Sequence, residues 1–202
     1  DPMCGSGTLP IEGALIARRM APGLRRRFAF QSWPDFHATT WRDVEAEAEA
    51  AVLTRSPVRI QGSDRDAGAI EAARANAERA GVTDDIEFSE RPISAITPPD
   101  EAGWVVSNPP YGVRVGEHDR LRNLYAQLGN VLRARCAGWQ IALVSADPAL
   151  ERQLRIPVEP ILRTSNGGIK VRIVAGAVPM SRVRRPKSET PPDTAAAQRY
   201  PS

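Results

Sequence analysis

The sequence predicts an α/β domain built on a doubly wound, largely parallel sheet that closes with an antiparallel hairpin. Three observations carry this reading. Strand-like apolar runs alternate with segments of helical period. A glycine-rich turn, Asp1-Pro2-Met3-Cys4-Gly5-Ser6-Gly7-Thr8, opens directly into a helix. Near the end, two β-like runs flank Ser165-Asn166-Gly167-Gly168, which suits a tight hairpin turn.

The elements follow in order. Thr8 is a candidate cap with Pro10 in the first turn, and Ile11, Ala14, Leu15 and Ile16 carry a helix to about Met20, where Pro22-Gly23 ends it. Residues 21–42 read as a long connection rich in arginine and aromatics, and residues 43–54 as strong helix formers. Residues 58–61 alternate like a strand and run into Gly62-Ser63-Asp64. Asp66 caps the next helix, whose apolar side is Ile70, Ala73, Ala77 and Ala80 and which stops at Gly81. Residues 86–88 read as a strand, 92–102 as proline-rich loop, and 104–107 as a short apolar strand ending at Asn108-Pro109-Pro110. Leu121, Leu124, Tyr125, Leu128, Val131 and Leu132 lie on one helix face. A buried strand at 141–144, a short helix near 148–154 and the strands 159–164 and 169–175 complete the domain. A turn like Asp1–Thr8 normally follows a buried strand, so the first strand is expected ahead of Asp1 and the chain reads as a fragment.

Composition bounds the class. Of 202 residues, 42% are hydrophobic and 25% charged, which excludes wholesale disorder. No apolar run approaches the ~20 residues of a membrane span, and the first residues do not read as a secretory leader. Cys4 and Cys136 are too few for a disulfide scaffold, so a reducing, cytoplasmic compartment is expected. The formal charge is +3. Residues 181–202 hold five basic and two acidic residues, so the whole excess lies there. We therefore expect a catalytic domain over 1–178 and a disordered basic tail over 179–202.

Two motifs carry chemistry. Closely spaced glycines entering a helix let a ligand approach the backbone. The turn is not a phosphate-binding P-loop, because no Lys-Ser/Thr follows Gly7. Asp64 closes the next strand of the same unit, where a carboxylate can accept both hydroxyls of a ribose. Asn108-Pro109-Pro110-Tyr111 follows a buried strand and sits at the carboxyl edge of the sheet. The prolines stiffen the loop and remove two donors, leaving the Asn108 side-chain oxygen and the Pro109 carbonyl as acceptors beside the Tyr111 ring. That set suits a planar amine such as the exocyclic NH2 of a base.

Together these residues resemble class I methyltransferases that use S-adenosylmethionine and modify an amino nitrogen. With Ala21-Pro22-Gly23-Leu24, Asn108 through Arg114 and Ser165-Asn166-Gly167, the chain is similar over about 1–175 to the catalytic domain of bacterial 23S ribosomal RNA guanine-N2 methyltransferases. The resemblance implies a Rossmann-like sheet with an antiparallel last strand, a central first strand upstream of Asp1, and a THUMP-like RNA-binding domain ahead of it. It implies cofactor contacts from Asp1, Pro2, Cys4, Gly5, Gly7, Thr8, Asp64, Arg65 and Asn108. It implies catalysis by Asn108, Pro109, Pro110 and Tyr111 on guanine N2 in structured RNA. One departure is that Pro92 stands where the family commonly has an Asp against the adenine amine, leaving Ser94, backbone or water for that contact.

RNA contact is expected from Arg25, Arg26, Arg27, Trp33 and Arg114. The first four belong to a segment in which Arg18, Arg19 and Arg25–Arg27 precede Phe28, Phe30, Trp33, Phe36 and Trp41. Cations among aromatic rings suit phosphate contact and base stacking, although the same rings could instead cover the sheet edge. His37 and His118 lack metal-like spacing, and no metal site is expected. Two other readings stay open: a DNA adenine-N6 or protein glutamine-N5 methyltransferase, and an RNA-binding or ribosome-assembly module with impaired catalysis.

Overall fold

A computed structural model describes residues 1–24, 26–111 and 118–180. Arg25, Arg114 and the basic tail from residue 181 lie outside the described residues.

Helix α1 spans Thr8–Ala17 and α2 spans Ala38–Ala50. Strand β1 (Ile60–Asp64) leads to α3 (Ala67–Ala80) and β2 (Ile86–Glu90). Strand β3 (Trp104–Ser107) precedes α4 (His118–Arg135) and β4 (Gln140–Ser145). A short α5 (Pro148–Gln153) is followed by β5 (Glu159–Asn166) and β6 (Ile169–Ala177).

Most boundaries follow the chemistry read from the sequence. The Asp66 carboxylate accepts from the Gly68 and Ala69 amides and caps α3, and Gly81 ends it in the left-handed region. Gly167 and Gly168 both have positive φ, which sets the two-residue turn between β5 and β6. Helix α1 differs from expectation. Gly7, not Thr8, occupies the cap position, with φ 86° and no side-chain cap bond. The helix ends at Ala17, because Arg18 caps it and Arg19 turns left-handed. Helix α2 begins five residues earlier than expected and buries none of its residues.

The strands form two hydrogen-bonded sheets. β1 and β2 pair in parallel, and β3-β4-β6-β5 form the second sheet, with β3–β4 parallel and both β4–β6 and β5–β6 antiparallel. A parallel sheet with an antiparallel closing hairpin is the expected order. Its ladder, however, is interrupted between β1 and β3. Their facing edges line a cavity of about 590 Å3, bordered by Ile60, Gly62, Val105, Cys136 and Trp139. Asp1 lies in this gap. Its nitrogen donates to the Gln61 carbonyl at 2.8 Å and its carbonyl accepts from Ser63 at 2.8 Å, the pattern of one residue added to a parallel ladder.

Each sheet has its own core. Ile11, Ala14, Ala77, Val82 and Ile86 join α1 and α3 to the β1–β2 pair. The larger core buries Leu121, Tyr125, Leu128 and Leu132 of α4 against Val105, Ile141, Leu143 and Val174. Among the described residues no helix is long and apolar enough to cross a membrane.

Arg18 clamps the far end of the smaller sheet. It donates to the Leu53 carbonyl at 2.9 Å and the Gly81 carbonyl at 2.8 Å, and it pairs with the nearly buried Asp85 at 3.3 Å. The cation is therefore committed to structure and does not join a basic patch. Removing one member of a buried, hydrogen-bonded pair leaves the other uncompensated. Arg18→Met should lower unfolding free energy by about 3 kcal/mol, read from urea denaturation.

Candidate active site

The expected motifs converge at the carboxyl ends of β1 and β3. The glycine turn folds back on itself through a 2.8 Å bond from the Gly7 amide to the Cys4 carbonyl. Gly5 and Gly7 have φ of 51° and 86°. At Gly7 an added Cβ would meet Ala73 at 3.0 Å, so this glycine lets α1 approach α3. At Gly5 a Cβ would meet nothing within 4 Å, so its missing side chain leaves open space at the mouth of the turn.

Hydrogen bonds tie the turn to both sheets. The Gly5 amide donates to Asp64 Oδ2 at 3.0 Å, while Asp64 Oδ1 accepts from the Asp66 amide at 3.1 Å. Each carboxylate oxygen retains a lone pair for a further donor. On the other side, Ser107 Oγ donates to Asp1 Oδ1 at 2.6 Å, and the same oxygen accepts from the Met3 amide at 3.0 Å. Asp1 therefore orients the turn and the end of β3 together. Asn76 of α3 was not singled out in the sequence, yet its side-chain amide donates to the Ser6 carbonyl at 2.8 Å. Its place on the polar side of α3 gave no signal for this contact.

Cys4 is buried, and its amide donates to the Ser63 carbonyl at 2.9 Å. Burial and the neighbouring Asp64 push its thiol up to about 11. It is a packed, protonated residue at neutral pH, not a nucleophile. Burial also raises the Cys136 thiol.

The Asn108–Tyr111 loop leaves β3 with alternating exposure. Asn108 and Pro110 are exposed, Pro109 is buried and Tyr111 is half-buried. Anchoring Pro109 in the interior leaves the Asn108 amide at the surface of a rigid loop. Tyr111 has a partner that the sequence reading placed only loosely: Asn166, at the end of β5, donates through Nδ2 to the Tyr111 hydroxyl at 2.6 Å. Beneath them the fully buried Tyr125 hydroxyl has no hydrogen-bond partner among the described residues. Burial and the nearby Glu151 and Asp147 carboxylates raise its pKa.

The other expected residues divide. Thr8 is exposed at the first turn of α1, and Arg65 is exposed after β1. Pro92 opens a short 3-10 turn over Ile93–Ala95 and Ser94 is exposed. Arg26, Arg27 and Trp33 are exposed, Trp33 at 62%. No contact among the described residues brings these three against the Asn108–Tyr111 loop. Their segment starts at the far end of α1, a ten-residue helix about 15 Å long. Phe28, Phe30, Phe36 and Trp41 pack on one another, with centroids 5.1–6.0 Å apart. The rings thus form a local cluster of their own, and Arg26 lies 5.1 Å from the Phe28 ring centroid. Among the described residues no three His, Cys, Asp or Glu residues gather as a metal site.

Residues 1–171 match the RMKL-like methyltransferase domain family. The chain belongs to that family. The ribosomal RNA large subunit methyltransferase K/L of Shewanella baltica (strain OS185) is 38% identical over 174 residues, which is 84% of this chain and 24% of that protein. The chain thus spans about a quarter of the length of the curated relatives it matches. The crystal structure of SMU.472 complexed with SAH superposes with a TM-score of 0.81 at 29% identity, over 91% of this chain and 48% of that one. A protein from Listeria monocytogenes named as an N6-adenine-specific DNA methylase superposes at 0.72 with 33% identity, over 86% of this chain and 45% of that one. The class I, Rossmann-like methyltransferase fold expected from the sequence is the fold of this RMKL-like domain.

Two outcomes follow from the turn. Gly7→Ala should destabilise the domain by about 2 kcal/mol, combining positive φ with the Ala73 contact, and denaturant midpoints would register the loss. The Cys4 thiol ionises only as pH nears 11, so folded protein should resist iodoacetamide at pH 8–9, where unfolded chain is alkylated readily.

Proposed function

We propose that this domain transfers a methyl group from S-adenosylmethionine to the exocyclic N2 amine of guanine in RNA, with 23S ribosomal RNA the substrate. The observation that carries the reading is the convergence of three motifs through short contacts: Gly5 on Asp64, and Asp1 on Ser107 directly before Asn108. Open space at Gly5 beside the remaining Asp64 lone pairs fits a nucleoside-bearing cofactor, and the relatives' name supports ribosomal RNA as target.

When bound, S-adenosylmethionine supplies an electrophilic methyl group. Gly5, Gly7 and Asp64 would hold it, with Asp1, Pro2, Cys4, Thr8, Arg65 and Asn108 framing the pocket. Asn108 Oδ1 and the Pro109 carbonyl accept hydrogen bonds from the target amine. The guanine amine is a poor nucleophile because its lone pair is delocalised into the ring. Two acceptors favour a more tetrahedral nitrogen and stabilise the positive charge that develops there. Tyr111 stacks on the base and fixes its approach, with its hydroxyl steadied by Asn166. No strong base is required, since the methylated ammonium is acidic. A paired target base must turn out of its helix to reach this loop.

Three further expectations accompany this reading. The cavity between β1 and β3 takes the strand leading into Asp1, as the ladder bonds of Asp1 suggest. A THUMP-like domain ahead of that strand supplies most RNA affinity, with Arg25–Arg27, Trp33 and Arg114 touching outlying RNA. The protein works in the cytoplasm. The name carried by the Listeria relative favours DNA adenine N6 as the second reading.

Asn108→Ala should abolish methyl transfer while costing far less in cofactor affinity, since Asn108 is one of several residues framing that pocket, measured by calorimetry and by label incorporation; wild-type turnover in that variant would sink the mechanism. Gly5→Ala should weaken cofactor binding at least tenfold, with a stability loss of about 1 kcal/mol from its positive φ and therefore smaller than that of Gly7→Ala. Labelled cofactor incubated with RNA, DNA and protein pools separates the substrate classes.

A further inference from the structure

The β5–β6 hairpin carries cations that the reading above does not use. Residues directly opposite in an antiparallel pair share a face, as do residues two apart along a strand. Arg163 faces Arg172 across the pair, and Ser165 faces Lys170. Ser145 of β4 faces Arg172 on the other side. One face of the sheet therefore bears three cations and two hydroxyls, around a cavity of about 560 Å3.

Like charges placed directly opposite each other repel. Among the described residues one of the three is neutralised in place: Arg172 pairs in fork geometry with the buried Glu151 of α5, its Nε donating to Oε1 at 2.8 Å. Among the described residues neither Arg163 nor Lys170 meets a carboxylate. Both are exposed. Glu151 also fixes Arg172, so the row is anchored at one end and open at the other.

The hairpin that carries the row also reaches the site. β4 ends at Ser145, opposite Arg172, whereas the hairpin continues to Asn166 and Ile169, beyond the sheet. At its tip Asn166 holds Tyr111. Arg163 lies three residues back, about 10 Å along the strand, and its row occupies the face of the hairpin opposite Asn166.

We propose that this hairpin face is a phosphate-binding groove that holds the RNA backbone next to the target nucleotide, through Arg163, Lys170 and the outer edge of Arg172. This rests on the RNA reading above and names where the strand runs beside the loop. The chemistry recognised is the phosphodiester oxyanion, which Arg takes with paired donors and Lys as a point charge.

The test uses the intact protein and unmodified 23S ribosomal RNA transcribed in vitro. Arg163→Gln/Lys170→Gln should weaken RNA binding about tenfold at low salt. It should flatten the slope of log affinity against log salt by about 1 to 2, raise KM for RNA, and leave kcat and cofactor affinity unchanged. Arg163→Lys/Lys170→Arg should restore the slope. A charge-matched control at the exposed Arg55→Gln/Arg59→Gln should behave as wild type. Wild-type affinity and slope in the hairpin variant would overturn the proposal. So would loss of inorganic phosphate binding with RNA binding unchanged, which marks a free-anion site, and so would a loss confined to duplex DNA. Failure of the parent reading looks different: the unaltered protein itself neither binds nor methylates the RNA.

Discussion

Asp1 is the residue on which the arrangement depends. The two sheets share no strand pairing, and the described hydrogen bonds that join them at the site run through this one residue. Its backbone extends the β1 ladder, and its carboxylate takes the Ser107 hydroxyl at the end of β3. Met3 donates to the same carboxylate oxygen, so the conformation of the glycine turn is set by the contact that aligns the sheets. Asp64 completes the arrangement by accepting from Gly5. The glycine turn and the Asn108–Tyr111 loop are thereby held in register by a few short bonds.

Much of this was legible in the sequence because it rests on local chemistry. A capping aspartate, a positive-φ glycine and a two-residue glycine turn each leave a signature within a few positions. The face of α4 was legible for the same reason: its apolar positions fall on one 100°-per-residue stripe, and the structure buries Leu121, Tyr125, Leu128 and Leu132. The Asn108–Tyr111 loop was placed correctly because a short apolar strand that stops at two prolines can only end at a sheet edge.

What was missed depends on contacts distant in sequence. Arg18 reads as part of a basic run, yet its partners lie 35, 63 and 67 residues away. Asn76 and Ser6 are separated by 70 residues. The aromatic segment is a further case: composition shows that its rings must be covered, but not that they would cover one another. The hairpin cations differ, since they could have been found. A turn centred on Gly167-Gly168 fixes the register, and counting outward from it pairs Arg163 with Arg172.

The division of the core into two clusters has a consequence at the site. Each half of the molecule keeps its own buried cluster, and the facing edges of β1 and β3 contribute no ladder bonds to one another. The loops at the site come from both halves. A ligand resting on Gly5 and Asp64 on one side and on Asn108 on the other therefore spans the seam. Any ligand bound only by the assembled site adds its occupancy free energy to the assembled state. Such a ligand would act as a fastener between segments far apart in sequence, in addition to any strand that fills the cavity between β1 and β3.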